Sequence, residues 1–391
     1  MSRPAALLLS RGRGRLWAAL REGGRIVALD LEDPRATLGR GRIVRGRVSR
    51  VLHGVQAAFV DLDRDASGFL PTREILKPGH ELAVQVRRGP RAGKVAELTT
   101  RIQLAGRYLV LDATRARRAI SRRVRDPGVR ERLRALVDSL AAPPGAGWIV
   151  RAAAATAHVD HVRDEATRLA ERWRAIAVRA GEPGPPALLE SEPDLVERAL
   201  RDAPGADELE EILLDDLELR SIVLDRLAVT APDLIGRTRL VSGAGTLFDE
   251  EIGGAVAEAL APRVALPSGG TLTIEETAAL VSIDVDGGSD AWESANREAA
   301  REIPRQLRLR DLGGAIVVDW ISPSDPLALR GVVDACAEEL ARDPARTRIV
   351  GLSEIGLLEL TRERLGPGLA ELLERDCPTC GGRGRVSNPQ A

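Results

Sequence analysis

The chain has 391 residues, 44% of them hydrophobic and 29% charged, and its formal net charge at pH 7 is −1. Such values are typical of a soluble globular protein, and at about 100–200 residues per domain the length indicates about two to four domains. A membrane-spanning segment is excluded, because no apolar stretch approaches the roughly 20 residues that a spanning helix needs.

The first 20 residues are not expected to be a secretion signal. Their apolar core, PAALLL, is short, and a polar stretch rich in arginine and glycine follows it without an A-x-A cleavage site. A cytoplasmic protein is therefore expected. Three cysteines, two of them in one C-x-x-C, are too few for a disulfide framework and indicate metal or redox chemistry.

The charge is unevenly distributed along the chain. Residues 40–130 contain 21 Lys and Arg against 8 Asp and Glu, a net charge of +13, so the remaining residues carry −14. A basic region on a nearly neutral protein indicates a polyanionic partner. The alternative is that these basic residues only form a solvated surface, because the chain uses arginine heavily throughout.

Residues 41–60 alternate basic and apolar side chains, and a second β-rich stretch, ELAVQVRRGPRAGKVAELTTRIQL, follows after LKPGH. Short, closely spaced strands with basic faces predict a small barrel of the OB-fold type. Phe59 and Phe69, two of only three phenylalanines, fall in this region and either stack on bases or fill the barrel core. Lys94, one of only two lysines, is a weaker candidate for a phosphate contact.

Helical patterns begin at Asp126. Helices are predicted at DPGVRERLRALVDSL and, after a strand at GWIVRAA, at HVRDEATRLAERWRAIAVRAG. Residues 190–220 are rich in acids and are predicted to be helical with exposed faces.

The most informative unit lies between residues 279 and 320. The strand ALVSIDV leads to a helix over about residues 294–312, with Ser294 as its N-cap and Gly313-Gly314 at its end, and then to the strand GAIVVDW. A strand, helix and strand of this length predict a right-handed parallel βαβ unit, in which both strands end at the same edge of the sheet. Asp284 and Asp319 are therefore expected to converge.

Acids gather at this edge, because Asp286 and Asp290 follow Asp284 closely in the sequence. Converging carboxylates without a nearby lysine repel one another unless a cation lies between them, and oxygen ligands favour Mg²⁺ or Mn²⁺. The pattern predicts a metal-assisted phosphodiester hydrolase. The alternative is that these acids cap a helix and occupy turns.

The segment DCPTCGGRGR, at residues 376–385, places Cys377 and Cys380 at the spacing of two zinc ligands from one loop. Cys336, inside VVDACAEEL, is predicted to be a core residue. A tetrahedral site would then need ligands from a second chain, which predicts a dimer. A redox C-x-x-C is the alternative, but it lacks the helix N-terminus that would lower a thiol pKa.

The motifs and their order resemble the ribonuclease E/G family along nearly the whole chain. The matching segments are AAFVDL, SGFLP, LTTRIQLAGRYLVL, ISRRV, GWIVR, RVALPSGGTLTIEETAALVSIDV, NREAAREIPRQLRLRDLGGAIVVDW, GLLELTRERL and CPTCGGRG. The resemblance implies a multidomain α/β protein in which an S1 β-barrel of the OB-fold type is inserted in an RNase H-like domain. Its parts would be an RNase H-like first part (1–36), an S1/OB-fold RNA-binding domain (37–100), a 5′-sensor region (101–195), the second RNase H-like part (196–258), a DNase I-like catalytic domain (259–375) and a zinc link with a tail (376–391).

The resemblance also implies an activity: a Mg²⁺-dependent endoribonuclease for single-stranded RNA that acts in rRNA processing and mRNA decay, prefers 5′-monophosphorylated RNA, and is joined to itself through Zn²⁺. The residues it assigns are Asp284 and Asp319 as magnesium ligands with Asp286 as a third catalytic candidate, Phe59, Phe69, Lys94 and Arg122 as RNA contacts, Arg151 as the 5′-sensor arginine, and Cys377 and Cys380 as zinc ligands.

The chain departs from the family pattern in several places. Asp286 replaces the usual Asn, the segment from Asp286 to Asn296 is shorter, Pro304 interrupts the helix, and Ser322 stands where the family has a second acid. An RNA-binding paralogue with weak or no cleavage activity is therefore the alternative. Only three residues follow Asn388 in this sequence, so the short ribonuclease G-like form is expected.

Overall fold

The computed structural model describes residues 4–33, 38–90, 94–205, 208–241, 243–287, 292–321 and 328–382. Asp290 and Ser322, which the sequence singles out, lie outside the described residues, as does the end of the chain from residue 383. The chain divides into two compact units, Met1–Gly254 with Leu340–Pro344 and Ala255–Glu339 with Ala345–Ala391. Within the described ranges, every helix is too short or too polar to cross a membrane.

The strands and helices alternate irregularly along the chain. The strands are β1 (Ala5–Gly12), β2 (Arg15–Glu22), β3 (Arg25–Leu31), β4 (Ile43–Leu52), β5 (Ala57–Asp61), β6 (Ser67–Pro71), β7 (Glu81–Arg88), β8 (Ala96–Thr99), β9 (Gln103–Ala105), β10 (Leu109–Asp112), β11 (Arg118–Ile120), β12 (Gly147–Val150), β13 (Ala187–Glu190), β14 (Leu209–Leu214), β15 (Thr238–Leu240), β16 (Arg263–Ala265), β17 (Thr271–Glu276), β18 (Leu280–Asp286), β19 (Gly314–Asp319), β20 (Thr347–Leu352) and β21 (Leu358–Arg362). The helices are α1 (Pro127–Ser139), α2 (Val159–Gly181), α3 (Leu195–Asp202), α4 (Leu217–Thr230), α5 (Gly253–Leu260), α6 (Trp292–Leu309), α7 (Ala328–Leu340) and α8 (Leu369–Leu373).

A closed five-stranded barrel forms part of the first unit. Its strands follow the order β4-β5-β6-β8-β7, β7 pairs back with the first half of β4, and β13 adds to β4 outside the ring. Alternate residues point inward, so that Val48, Val60 and Leu70 are buried in its core. A Cβ atom at Gly68 would lie 2.6 Å from Leu98 Cδ1, so a larger residue there would displace the buried Leu98. The barrel is compatible with the predicted OB-type domain.

A five-stranded sheet of order β15-β14-β1-β2-β3 joins the start of the chain to residues 209–240. β14 pairs in parallel with β1 and β15, so the predicted helix over residues 190–220 is wrong for residues 209–214, although α3 and the start of α4 agree with it. The acidic pair before Ile212 hides the strand pattern. One of these acids, Glu211, ion-pairs with Arg21 of β2 at 2.9 Å on one face of the sheet.

The sheet β11-β12-β10-β9 packs against α1 and α2 in the first unit. Both helices agree with the sequence prediction. α1 begins where Asp126 caps it by accepting a hydrogen bond from the Val129 amide at 2.8 Å, with Pro127 in the first turn. The core between sheet and helices contains the fully buried Trp148 and Tyr108.

The second unit contains a six-stranded sheet of order β16-β17-β18-β19-β21-β20. β18 and β19 are parallel and joined through α6, which confirms the predicted βαβ unit. The predicted cap is wrong, since Ser294 lies inside α6. Gly314 starts β19 with φ of +102°, a conformation that favours glycine. Pro304 lies buried inside α6 and removes the amide that would bond to the Ala300 carbonyl.

Candidate active site and RNA-contacting surfaces

The acids of the βαβ unit lie at the ends of two neighbouring parallel strands. Along β18, Ile283 and Val285 are buried whereas Asp284 and Asp286 are exposed, because successive side chains of a strand point to opposite faces. In the parallel register Asp284 lies directly opposite Asp319 of β19. The two residues are thus separated by one strand spacing of about 4.8 Å, which is the predicted convergence.

The carboxylates at this edge carry negative charge that no described side chain neutralises. Partial loss of solvent, and then the charges of Asp286 and Asp319, raise the pKa of Asp284. Asp284, Asp286 and Asp319 make no hydrogen bond or ion pair with any residue that the structure describes. Carboxylates placed in this way are suited to a divalent cation.

The described residues contain no group of three or more His, Cys, Asp and Glu side chains that could hold a metal ion by themselves. Asp284 and Asp319 nevertheless fit Mg²⁺, because this ion is usually bound by one or two carboxylates and completes its shell with waters and substrate phosphate. The two carboxylates are therefore a donor set that one Mg²⁺ ion could use.

Asn296 supports this edge and is a residue that sequence reasoning passed over. It is fully buried in α6, its Nδ2 donates to the Ile321 carbonyl at 2.8 Å, and its Oδ1 accepts from the Ile321 amide at 3.2 Å. The amide thereby ties α6 to the segment that follows Asp319. An asparagine on the apolar face of a predicted helix, near Ala299 and Ala300, was the available signal, because Asn is unfavourable in helix interiors.

The barrel presents an aromatic pair on its outside. Phe59 of β5 and Phe69 of β6 are cross-strand partners whose ring centroids lie 5.9 Å apart at 72°. Both are partly exposed and lie outside the barrel core, so the core alternative does not hold. Arg50, which the sequence analysis missed, pairs with Phe59 across β4 and β5 and holds its guanidinium 4.9 Å from the ring centroid.

The other predicted RNA contacts are basic and exposed. Lys94 precedes β8, and Arg122 follows β11. Both belong to the first unit, like the aromatic pair, but neither side chain makes a hydrogen bond or ion pair with the residues that the structure describes.

Arg151 follows β12 and is already engaged within the chain. Its Nη1 donates to the carbonyls of Gly106 at 2.6 Å and Arg201 at 3.3 Å, and its Nη2 donates to Asp202 Oδ1 at 2.6 Å. The predicted sensor arginine therefore faces a carboxylate at the end of α3. The side chain is only partly covered, at 27% exposed.

Cys377 and Cys380 lie together in a turn of the second unit. The Gly381 amide donates to the Cys377 carbonyl at 2.7 Å, and both Gly381 and Gly382 have positive φ. Hydrogen bonds from the Cys380 and Thr379 amides lower the pKa of Cys377, which favours the thiolate that binds metals. Cys336 is buried in α7 as predicted, and burial raises its pKa to about 12.

Known proteins resemble this chain over most of its length. It is 36% identical over 406 residues to ribonuclease E of Haemophilus influenzae, with 96% of this chain and 43% of the relative covered. It is 35% identical to ribonuclease E of Escherichia coli K12, covering 96% of this chain and 38% of the relative. It is 33% identical to ribonuclease G of the same strain, covering 88% of this chain and 77% of the relative.

The chain spans less than half the length of these ribonuclease E relatives. The family model described as the ribonuclease E/G family matches residues 103–365, which include β9 to β21 and both Asp284 and Asp319. The chain therefore belongs to the ribonuclease E/G family.

Proposed function

We propose that the protein is an endoribonuclease that cuts single-stranded RNA with Mg²⁺ held by Asp284 and Asp319. The observation that carries the proposal is the in-register pair of exposed, uncompensated carboxylates at adjacent strand ends. Membership of the ribonuclease E/G family supports RNA as the substrate. We further propose roles in rRNA processing and mRNA decay, in the cytoplasm.

The residues at the edge formed by β18 and β19 would have different roles. Asp284 of β18 and Asp319 of β19 would hold the ion, and Asp286, two residues along the same face, would add negative charge to the site. Asn296 keeps the backbone after Asp319 in place through its two hydrogen bonds to Ile321. Bound Mg²⁺ would stabilise charge on the scissile phosphate and lower the pKa of an attacking water.

RNA would be held by the basic first unit. The outward rings of Phe59 and Phe69 offer a platform on which bases stack, and Arg50 adds a cation beside it. Lys94 and Arg122 would contact phosphates, and Arg151 would give the preference for a 5′-monophosphate. We also propose the six-part division that the family resemblance implies, and the closed barrel supports its S1/OB-fold part.

We also propose that Cys377 and Cys380 supply half of a tetrahedral Zn²⁺ site whose other thiolates come from a second copy of the chain. The turn that brings the two cysteines together and the lowered pKa of Cys377 support this proposal. Cys336 does not compete for the ion, because it is fully buried in α7.

Cleavage of a single-stranded, 5′-monophosphorylated oligoribonucleotide tests the proposal. EDTA-treated protein should bind this RNA without cutting it, and added Mg²⁺ should restore cutting, whereas Asp284→Asn should stay inactive with Mg²⁺. Zn²⁺ added alone serves as the control for reloading the cysteine site.

Two results would count against the proposal. Cutting that continues in EDTA would refute the role of Mg²⁺. Binding without cutting under all conditions would favour an RNA-binding paralogue, a reading to which the buried Pro304 of α6 lends support, because a proline inside a helix costs about 3 kcal/mol or produces a kink.

A further inference from the structure

Asp202 lies between two arginines of the first unit. Arg201 holds it with Nε at 3.1 Å from Oδ1 and Nη2 at 2.6 Å from Oδ2, while Arg151 Nη2 lies 2.6 Å from Oδ1. One carboxylate is thus bound by two guanidinium groups. This is the arrangement in which proteins bind an anion with two or more oxygens.

Hydrogen bonds to the backbone at the end of α3 fix the position of Asp202. The buried side chain of Arg107 donates to the carbonyls of Leu200 at 2.6 Å, Ala203 at 3.3 Å and Pro204 at 2.7 Å, at the end of α3. Arg151 donates to a further carbonyl of this helix end, that of Arg201. α3 therefore cannot rotate its last residue away from the arginines without losing several buried hydrogen bonds.

The two arginines perturb the carboxylate strongly. Loss of solvent would raise the pKa of Asp202, but the hydrogen bonds and charges of Arg201 and Arg151 outweigh this effect and lower it well below the usual value. Asp202 is therefore ionised at neutral pH and neutralises part of the positive charge at this site.

We propose that Asp202 is an internal anion that occupies the site of an RNA 5′-phosphate, and that Arg201 is the second phosphate-binding cation beside Arg151. This inference rests on the proposed ribonuclease function. A terminal phosphate carries a charge of about −1.5 to −2 at pH 7 and presents three oxygens, so it can take over both guanidinium groups from a carboxylate of charge −1. Asp202 thus sets how strongly the site discriminates between RNA ends.

The test compares the binding of two short oligoribonucleotides that differ only in a 5′-monophosphate or 5′-hydroxyl, by fluorescence anisotropy without added Mg²⁺. Asp202→Asn keeps the shape of the side chain and removes its charge. It should raise the ratio of the two affinities about threefold to tenfold over wild type, since one charged competitor at a half-exposed site is removed. Arg201→Gln should lower the ratio.

Asp30→Asn is the matched control. Asp30 is bound in the same two-pronged way by Arg198 of α3, at 3.0 and 3.1 Å, and its side chain is 47% exposed against 44% for Asp202. Asp30 also acts on Arg201 at longer range, so its substitution should change the affinity ratio much less than Asp202→Asn does. Thermal unfolding of each variant establishes that it is folded, and Arg201→Gln tests the site even where Asp202→Asn does not fold.

An unchanged or lowered ratio in folded Asp202→Asn would overturn the inference, as would an unchanged ratio in Arg201→Gln. The proposed function is tested separately by Mg²⁺-dependent cutting of RNA by the wild-type protein. Cutting with an unaltered affinity ratio refutes the inference alone, whereas the absence of cutting refutes the proposed function and leaves the ratio to decide whether this site binds phosphate.

Discussion

Replacing Asp284 by Asn should abolish RNA cleavage and at the same time make the Mg²⁺-free protein more stable. The carboxylate is expected to hold the ion, so its loss removes catalysis. Without the ion, the partial loss of solvent at Asp284 and the repulsion from Asp286 and Asp319 both disfavour its charged form, and they raise its pKa. RNA affinity should change little, because the basic and aromatic residues proposed to bind RNA lie in the first unit.

The size of the stability change can be estimated from the pairing of β18 with β19. Asp284 and Asp319 are direct partners on parallel strands, which places their charges on the order of 5 Å apart. Two unit charges at this distance repel by about 1 kcal/mol in water, and both side chains are exposed, so the water value applies rather than the larger one of a protein interior. We expect Asp284→Asn to raise the free energy of unfolding by about 0.5–1 kcal/mol at pH 7.

The pH dependence has a defined sign. A carboxyl whose pKa is raised by folding destabilises the folded state when it is ionised, so the advantage of the variant should be full at pH 7. It should disappear as the pH falls through the raised pKa of Asp284, where the wild-type side chain takes up a proton. Urea unfolding at several pH values, without added Mg²⁺, measures this difference.

Added Mg²⁺ should then stabilise the wild type more than the variant, because only the wild type binds the ion well. Asp334→Asn, which removes an exposed carboxylate from α7, is the control and should change neither stability nor cleavage. A role of Asp284 in holding the ion is refuted if Asp284→Asn is no more stable than wild type at pH 7 and gains as much stability from Mg²⁺.

Cys377→Ser should lower the zinc content and shift the protein toward smaller species in light scattering, because a shared tetrahedral site loses one thiolate. Unchanged mass and zinc content would argue against the shared site. The wild type should cut 5′-monophosphorylated RNA faster than 5′-hydroxyl RNA by a modest factor. Arg151→Ala should erase the difference, and Ala152→Thr should enlarge it through a hydroxyl hydrogen bond worth roughly 0.5–1.5 kcal/mol. Equal wild-type rates on both RNAs would show that the site does not sense the end. Phe59→Ala and Phe69→Ala should each weaken single-stranded RNA binding by about 1–3 kcal/mol, and normal affinity in both would exclude the stacking platform.

The candidate active-site edge could be predicted because its signals are local. The apolar runs before Asp284 and Asp319 and the Gly313-Gly314 break define a strand, a helix and a strand, and the handedness and parallel pairing of such units then bring the two acids to one edge. The barrel was predicted for a similar reason, since its strands follow one another closely and alternate basic and apolar residues.

Long-range pairings set the limit of sequence reasoning. The strand Leu209–Leu214 was predicted as helix because its place between β1 and β15 depends on residues far away in the chain. The ion pair of Arg151 with Asp202 joins residues 51 positions apart, and no pattern of apolar and polar residues in the sequence predicts it. The cap at Ser294 failed for a different reason, since helix boundaries are uncertain by one or two residues in any case.

The parallel pairing of β1 with β14 has a consequence for synthesis on the ribosome. Ala5 of the central strand β1 pairs with Leu209, so β1 cannot complete its pairing until about 200 further residues are synthesised. At 5–20 residues per second this synthesis takes roughly 10–40 s. During this time β1, β2 and β3 can form only an open meander, and one edge of β1 offers unpaired backbone groups to other nascent chains. The barrel, built from neighbouring segments, can close meanwhile. Slow translation before Leu209 should therefore promote aggregation of this protein more than slow translation after it.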